Sequence, residues 1–142
     1  MTETALAIAF MSELLSSDQQ LKASVARQLP KGMELSHFSV LNHLYTTGER
    51  TPAQLAKSFQ LTKGAMTNTV KRLEAAGYIS VRPDWDDARR KWVSISPAGR
   101  QARDIAINQL EPVFQVVVDE LGADKIKATL PVLRAFRAAL KS

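Results

Sequence analysis

Between Leu61 and Ser96 the hydrophobic period changes from helical to extended, and this change most constrains what the chain can fold into. In LTKGAMTNTVKRLEAAG, Met66, Val70 and Leu73 recur at spacings of four and three, as on a helix buried along one face. Thr62 can cap that helix, and Gly77 ends it where a left-handed residue is usual. Beyond it, Ile79 and Val81 alternate with Ser80 and Arg82, and Val93 and Ile95 alternate with Ser94 and Ser96. Period two marks half-buried strands, and the charged loop from Pro83 to Arg90 joins them as an exposed tip.

The rest of the chain reads as helix. Leu14, Leu21, Val25 and Leu29 share one face, extended by Leu6 and Phe10, until Pro30, Lys31 and Gly32 break the pattern. A second helix over roughly 35–47 carries Phe38, Val40, Leu41 and Leu44 and stops at Gly48; either Glu34 or Ser36 can cap it. Thr51-Pro52 opens a third, with a capping residue before proline at the first helical position. Its core face is Leu55, Ala56 and Phe59, and Gln60-Leu61 forms the turn to the next helix. From Pro97 a long helix uses Ala102, Ala106, Leu110, Val113, Val117 and Leu121, with a kink expected at Pro112. After Gly122 a last helix uses Ile126, Leu130, Leu133, Phe136 and Leu140, with Pro131 as a second irregularity.

A helix suited to a DNA major groove, followed by a basic hairpin, predicts a winged helix-turn-helix. The fold class expected is mainly α with a small β-hairpin wing, flanked by long N- and C-terminal helices. Residues 1–142 form one domain unit on this reading, with a winged-helix DNA-binding lobe over 33–96. Residues 1–30 and 97–142 make a helical dimerisation lobe, because the central module can bury only part of their apolar faces. A two-fold dimer is therefore expected, a monomer with an intramolecular bundle being the alternative.

A formal net charge of +5 in 142 residues and a pI near 9.7 favour an anionic partner, although where the charge sits matters more than its total. With no cysteine, disulfides, thiolate catalysis, thiol redox sensing and cysteine-ligated zinc are all excluded. The first residues lack a basic n-region and a cleavage site, and no apolar run approaches membrane-spanning length. A cytoplasmic protein without membrane contact is expected.

Projected at about 100° per residue, Gly64, Thr67, Asn68, Lys71 and Ala75 lie opposite the Met66–Val70–Leu73 stripe. This face is short, polar and basic. Asn68 can pair with an adenine edge, Lys71 with guanine or phosphate, and Thr67 can donate to either kind of site. Thr62, Lys63 and the first-turn N–H groups suit a phosphate. In the hairpin, Arg82, Arg89, Arg90 and Lys91 crowd together, and Arg89 or Arg90 can enter a minor groove. Asp84, Asp86 and Asp87 oppose DNA unless paired; Asp87 is near enough to hold the Arg89 guanidinium in a salt bridge. The candidate DNA contacts are Thr62, Lys63, Thr67, Asn68, Lys71, Arg72, Arg89 and Arg90. Trp85 and Trp92 are expected to cover the base and tip of the wing, although Trp92 can also stack at an effector or protein surface.

LTKGAMTNTVKRLEAAGYISVRPDWDDARRKWVSISPAGR resembles the recognition helix and wing of the MarR-type (multiple antibiotic resistance) transcription regulators. The resemblance extends back through MELSHFSVLNHLYTTGERTPAQLAKSFQ and, in layout, over nearly the whole chain. Its most specific parts are LAKSFQLTKGAMTNTVKRLEAAGYI and Asp87-Ala88-Arg89 followed by VSISPAGR. It implies a dimer built from both chain ends, a palindromic operator, repression of transcription, and release by a small anionic or phenolic effector. The wing aspartate and arginine carry over to Asp87 and Arg89, and the polar recognition positions to Thr62, Lys63, Thr67 and Asn68. Gly64 and Ala65 stand where hydroxyl residues are common, so contacts there are fewer or apolar, such as Ala65 to a thymine methyl. Lys71 replaces a common acidic residue, adding affinity with little specificity.

Other chemistries fit poorly. His37 and His43 face directions about 120° apart on one helix, which does not assemble a metal site. No nucleophile is placed beside an orienting base, so an enzyme is not expected, nor is a cofactor. The acidic loop lacks the glycine and distal glutamate of a calcium site. Two non-regulatory readings stay open: a winged helix used for protein–protein contact, and a non-specific architectural DNA binder.

Overall fold

Side-chain caps or left-handed backbone mark several of the helix ends in this chain. The computed structural model describes residues 1–141. In order they form α1 (Glu3–Gln28), α2 (Leu35–Thr47), α3 (Pro52–Ser58), α4 (Lys63–Ala75), β1 (Ile79–Pro83), β2 (Lys91–Ile95), α5 (Pro97–Leu121) and α6 (Ala123–Leu140). They divide into two compact units, Met1–Gln109 and Leu110–Ser142. The architecture is mainly helical with a two-stranded antiparallel wing, the fold class anticipated from the periodicities.

At the start of α2, Glu34 occupies the cap and its N–H donates to His37 Nδ1 at 3.2 Å, which decides between the two candidate caps. Thr51 caps α3 reciprocally: its Oγ1 accepts the Gln54 N–H, and Gln54 Oε1 accepts the Thr51 N–H. Such a cap contributes about 1 kcal/mol. At the end of α3, Gln60 takes φ 55°, so that the Leu61 N–H returns to the Ala56 carbonyl at 2.9 Å and the Gln60 N–H to that of Lys57. The end of α4 repeats this closure, with Gly77 at φ 79° and the Tyr78 N–H on the Leu73 carbonyl.

The core of the first unit joins α2 (Val40, Leu41, Leu44), α3 (Leu55, Ala56), α4 (Met66, Val70, Leu73) and the strands (Ile79, Val93). Burying each of the larger side chains contributes about 1.5–3 kcal/mol. The strands pair in register from Ile79↔Ile95 to Pro83↔Lys91. Arg50 adds a further rung, its N–H and carbonyl bonding Val93 at 3.1 and 2.8 Å. The wing is therefore tied to the α2–α3 connection through backbone. In α1 only Val25 is buried, with Leu29 behind it, while Leu6, Ile8, Met11, Leu15 and Leu21 are exposed.

In the second unit α5 continues through Pro112 and α6 through Pro131. Val116, Val117, Val118, Leu121, Leu130, Val132 and Leu140 are exposed. No helix among the described residues is long and apolar enough to cross a membrane.

Candidate nucleic-acid interface

Because Met66, Val70 and Leu73 are held in the core, α4 has a fixed rotation about its axis, and the opposite face is presented outward. Gly64, Thr67, Asn68, Lys71 and Ala75 are all exposed on it. The helix start is prepared for an anion. Thr62 Oγ1 accepts the Ala65 N–H at 3.1 Å, while the N–H groups of Lys63 and Gly64 have no partner among the described residues. Gly64 leaves open space where a side chain would stand, so a ligand backbone can approach closely. Lys63 and Lys71 form no ion pair among the described residues.

Thr67 on this face and Arg72 beside it make contacts within the protein. The Thr67 hydroxyl donates to the Lys63 carbonyl at 2.8 Å, so its proton is committed within the helix. Thr67 can therefore accept from a ligand rather than donate to it. Arg72 reaches Glu34 Oε1 at 3.5 Å, an exposed pair that joins α4 to the cap of α2. Exposed pairs of this kind contribute little, and the guanidinium remains available at small cost.

The wing is organised by its acidic residues, two of which are engaged within it. Asp84 Oδ1 accepts the N–H groups of Asp86 (2.8 Å) and Asp87 (3.2 Å), and Asp84 Oδ2 accepts the Trp92 indole N–H (2.9 Å). The Asp86 N–H is the main reason the Asp84 carboxyl is held below its ordinary range; the indole adds to it. Asp87 Oδ1 accepts both the N–H and the Nε of Arg89, at 3.0 and 3.2 Å, and the Arg89 side chain chiefly lowers the Asp87 pKa. The Arg89 side chain is nonetheless 91% exposed. Arg90 closes the loop by backbone, its N–H on the Asp87 carbonyl and its carbonyl accepting the Asp84 N–H. Its guanidinium lies 5.9 Å from the Trp92 ring centre.

Trp92 thus sits at the wing as a hydrogen-bonded, partly buried ring. Trp85 does not cover the wing as expected: it is 86% exposed. With Asp84 drawing the Asp86 and Asp87 N–H groups to its carboxylate, the loop turns with Trp85 outside it. Arg82, grouped with the basic hairpin by sequence, is instead paired with Glu49 at 2.8 Å. The two histidines serve separate purposes, His37 at the α2 cap and His43 edge-on to Phe59.

Some of these partners had no local signal. Glu34, Glu49 and Arg50 lie in connections that become neighbours of α4 and the wing only after folding. A further cluster likewise joins residues far apart in sequence. Arg103 lies over the Tyr45 ring at 3.9 Å and donates through Nε to Asn42 Oδ1, with Arg100 at 5.5 Å from the same ring.

The geometry agrees with known proteins. Residues 31–90 match the MarR family. The uncharacterized HTH-type transcriptional regulator YwhA of Bacillus subtilis (strain 168) is 24% identical over 123 residues, spanning 87% of this chain and 86% of YwhA. Among solved structures, Escherichia coli MarR C80S complexed with operator DNA superposes with a TM-score of 0.78 at 22% identity, covering 99% of this chain and all of that one. Bordetella bronchiseptica BpsR, whose DNA binding is regulated by 6-hydroxynicotinic acid, superposes with a TM-score of 0.79 at 21% identity over 91% and 98% of the two chains. At these identities the two structures establish likeness of fold.

Proposed function

We propose that this chain is a MarR-family winged helix-turn-helix transcription regulator that represses transcription by binding a palindromic operator as a homodimer. The observation that carries the reading is the paired exposure of two cationic, hydrogen-bonding elements. The outer face of α4 offers Lys63, Thr67, Asn68 and Lys71, and the wing offers Arg89 on a loop braced by Asp84 and Asp87. In this proposal α4 enters the major groove, where Asn68 reads a base edge and Lys71 supplies affinity. Thr62 and the open N–H groups of Lys63 and Gly64 meet phosphate. Arg72 and Arg90 add charge at the edges, and Arg89 reaches backbone or minor groove.

The DNA-binding lobe is residues 33–96, and residues 1–30 and 97–142 supply the dimer contacts. The exposed apolar residues of α1 and of the second unit support this part, since they need a covering surface that a second copy provides. The operator complex of the E. coli protein supports the DNA partner, and the 6-hydroxynicotinic acid response of BpsR supports control by a small anionic or phenolic effector. Such an effector acts by binding one spacing of the two recognition helices better than another.

Selection of bound duplexes from a random pool tests the proposal. An inverted repeat with half-sites about 34–36 Å apart, or a multiple of that, is expected. Recovery of no duplex points to a protein-binding winged helix, and recovery of all sequences equally points to an architectural binder; either result overturns the regulator.

A further inference from the structure

We propose that Trp85 is a non-ionic DNA contact: its indole packs against the sugar walls of the minor groove, and its N–H donates to an A·T acceptor there. The inference rests on the DNA-binding reading above and deepens it by naming a shape- and base-sensitive contact beside the arginines.

Trp85 is the large hydrophobic residue of the wing left in solvent, at 86% exposure, and its Nε1–H has no partner among the described residues. The ring is not on a loose loop. The segment is closed at its base by the Asp84 N–H on the Arg90 carbonyl, at its turn by the Arg90 N–H on the Asp87 carbonyl, and beneath by the Asp84 carboxylate. A rigid mount lowers the entropy lost when the ring docks. Of the wing acids, Asp87 is offset by its pairing with Arg89, while Asp84 and Asp86 keep their charge, so the ring's contact must be made with the cations of the hairpin leading.

The surroundings select the partner. Arg89, at 91% side-chain exposure, and exposed Lys91 lie on the same hairpin, so an apolar ring is carried into a polyanion's field rather than toward a neutral or basic protein face. Apolar side chains are used against minor-groove sugars and base steps elsewhere in DNA recognition. Within that groove A·T pairs offer acceptors, whereas the guanine amino group of a G·C pair confronts a donor such as the indole N–H.

The test uses the full chain, a duplex from the selection, and two variants, Trp85→Ala and Trp85→Phe, with Arg89→Ala for comparison. Trp85→Ala is expected to weaken binding about tenfold at every salt concentration, leaving the slope of log affinity against log salt unchanged. Trp85→Phe is expected to keep most of the affinity while losing the preference for A·T over G·C at the wing position. With 5-fluorotryptophan incorporated, the Trp85 fluorine resonance, identified by its absence in Trp85→Phe, is expected to shift on adding duplex. Wild-type affinity for Trp85→Ala together with an unmoved Trp85 resonance, while labelled duplex reports binding, overturns this inference and leaves the DNA-binding reading intact. Failure of the unaltered chain to bind any duplex overturns both.

Discussion

The Ser96 hydroxyl donates to the Gly77 carbonyl at 2.6 Å, and the same oxygen accepts the Gly99 N–H at 3.0 Å. One side chain thus connects Gly77, just past the end of α4, to the first turn of α5. Ser96 also bonds by its own N–H to the Tyr78 carbonyl, so the exit from the wing is held at two points. This joint ties the end of α4 to the start of α5 within the first unit.

Replacing Ser96 with alanine removes the α5 cap and leaves the Gly77 carbonyl without this donor. A loss of about 1–2 kcal/mol in urea unfolding is expected. Threonine, which keeps the hydroxyl, is expected to recover most of it; equal losses for alanine and threonine contradict the joint.

Two glycines respond to the same substitution with opposite signs. A Cβ at Gly99 collides with the Tyr78 carbonyl oxygen and with Ile95 Cγ1, and the first of these is backbone that cannot turn aside. Gly99→Ala is expected to destabilise by about 1–3 kcal/mol. At Gly64 a Cβ meets nothing within 4 Å on an exposed helical position, so Gly64→Ala is expected to stabilise by up to about 1 kcal/mol. Thermal unfolding of both variants checks the pair, and like-signed shifts contradict it.

Much of this arrangement was legible in the sequence, and the reasons are local. Met66, Val70 and Leu73 carry the helical period, Ile79, Val81, Val93 and Ile95 the extended one, and Thr51, Thr62 and Gly77 are termini chosen by backbone chemistry. The strands and helices follow those signals closely. What stayed hidden depends on meetings between distant segments or on loop geometry. A single rung such as Arg50 with Val93 has no period to betray it. The pairing of Arg82 with Glu49 and of Arg72 with Glu34 joins residues whose separation in sequence says nothing of their proximity. The outward placement of Trp85 follows from which N–H groups Asp84 accepts, and three nearby aspartates made that choice unreadable.

Asp84 makes the wing sensitive to acid. Its folded-state pKa lies below the ordinary 3.8, principally through the Asp86 N–H and then the Trp92 indole. A lowered carboxylate pKa stabilises the folded form fully above 3.8, and the contribution is lost as pH falls through the lowered value. The Trp92 indole N–H resonance is therefore expected to hold its position down to about 3.8 and move only below it. Movement across the neutral range contradicts the assignment of Asp84 as its acceptor.

Arg89 and Arg82 separate a free wing charge from a paired one. Arg89→Ala is expected to weaken operator binding and reduce the salt slope by about one unit. Arg82 is held by Glu49 at 2.8 Å, so Arg82→Ala is expected to change the slope less. Fluorescence anisotropy at several salt concentrations measures both, and equal slope changes contradict the distinction.

Amide chemical-shift mapping of the full chain during titration with a selected duplex tests the central claim most directly. The account predicts the largest perturbations at Lys63, Gly64, Thr67, Asn68 and Lys71 together with Arg89 and Arg90. Saturating binding that leaves α4 and the wing unperturbed, with the shifts gathered in α1 or α6, would contradict it.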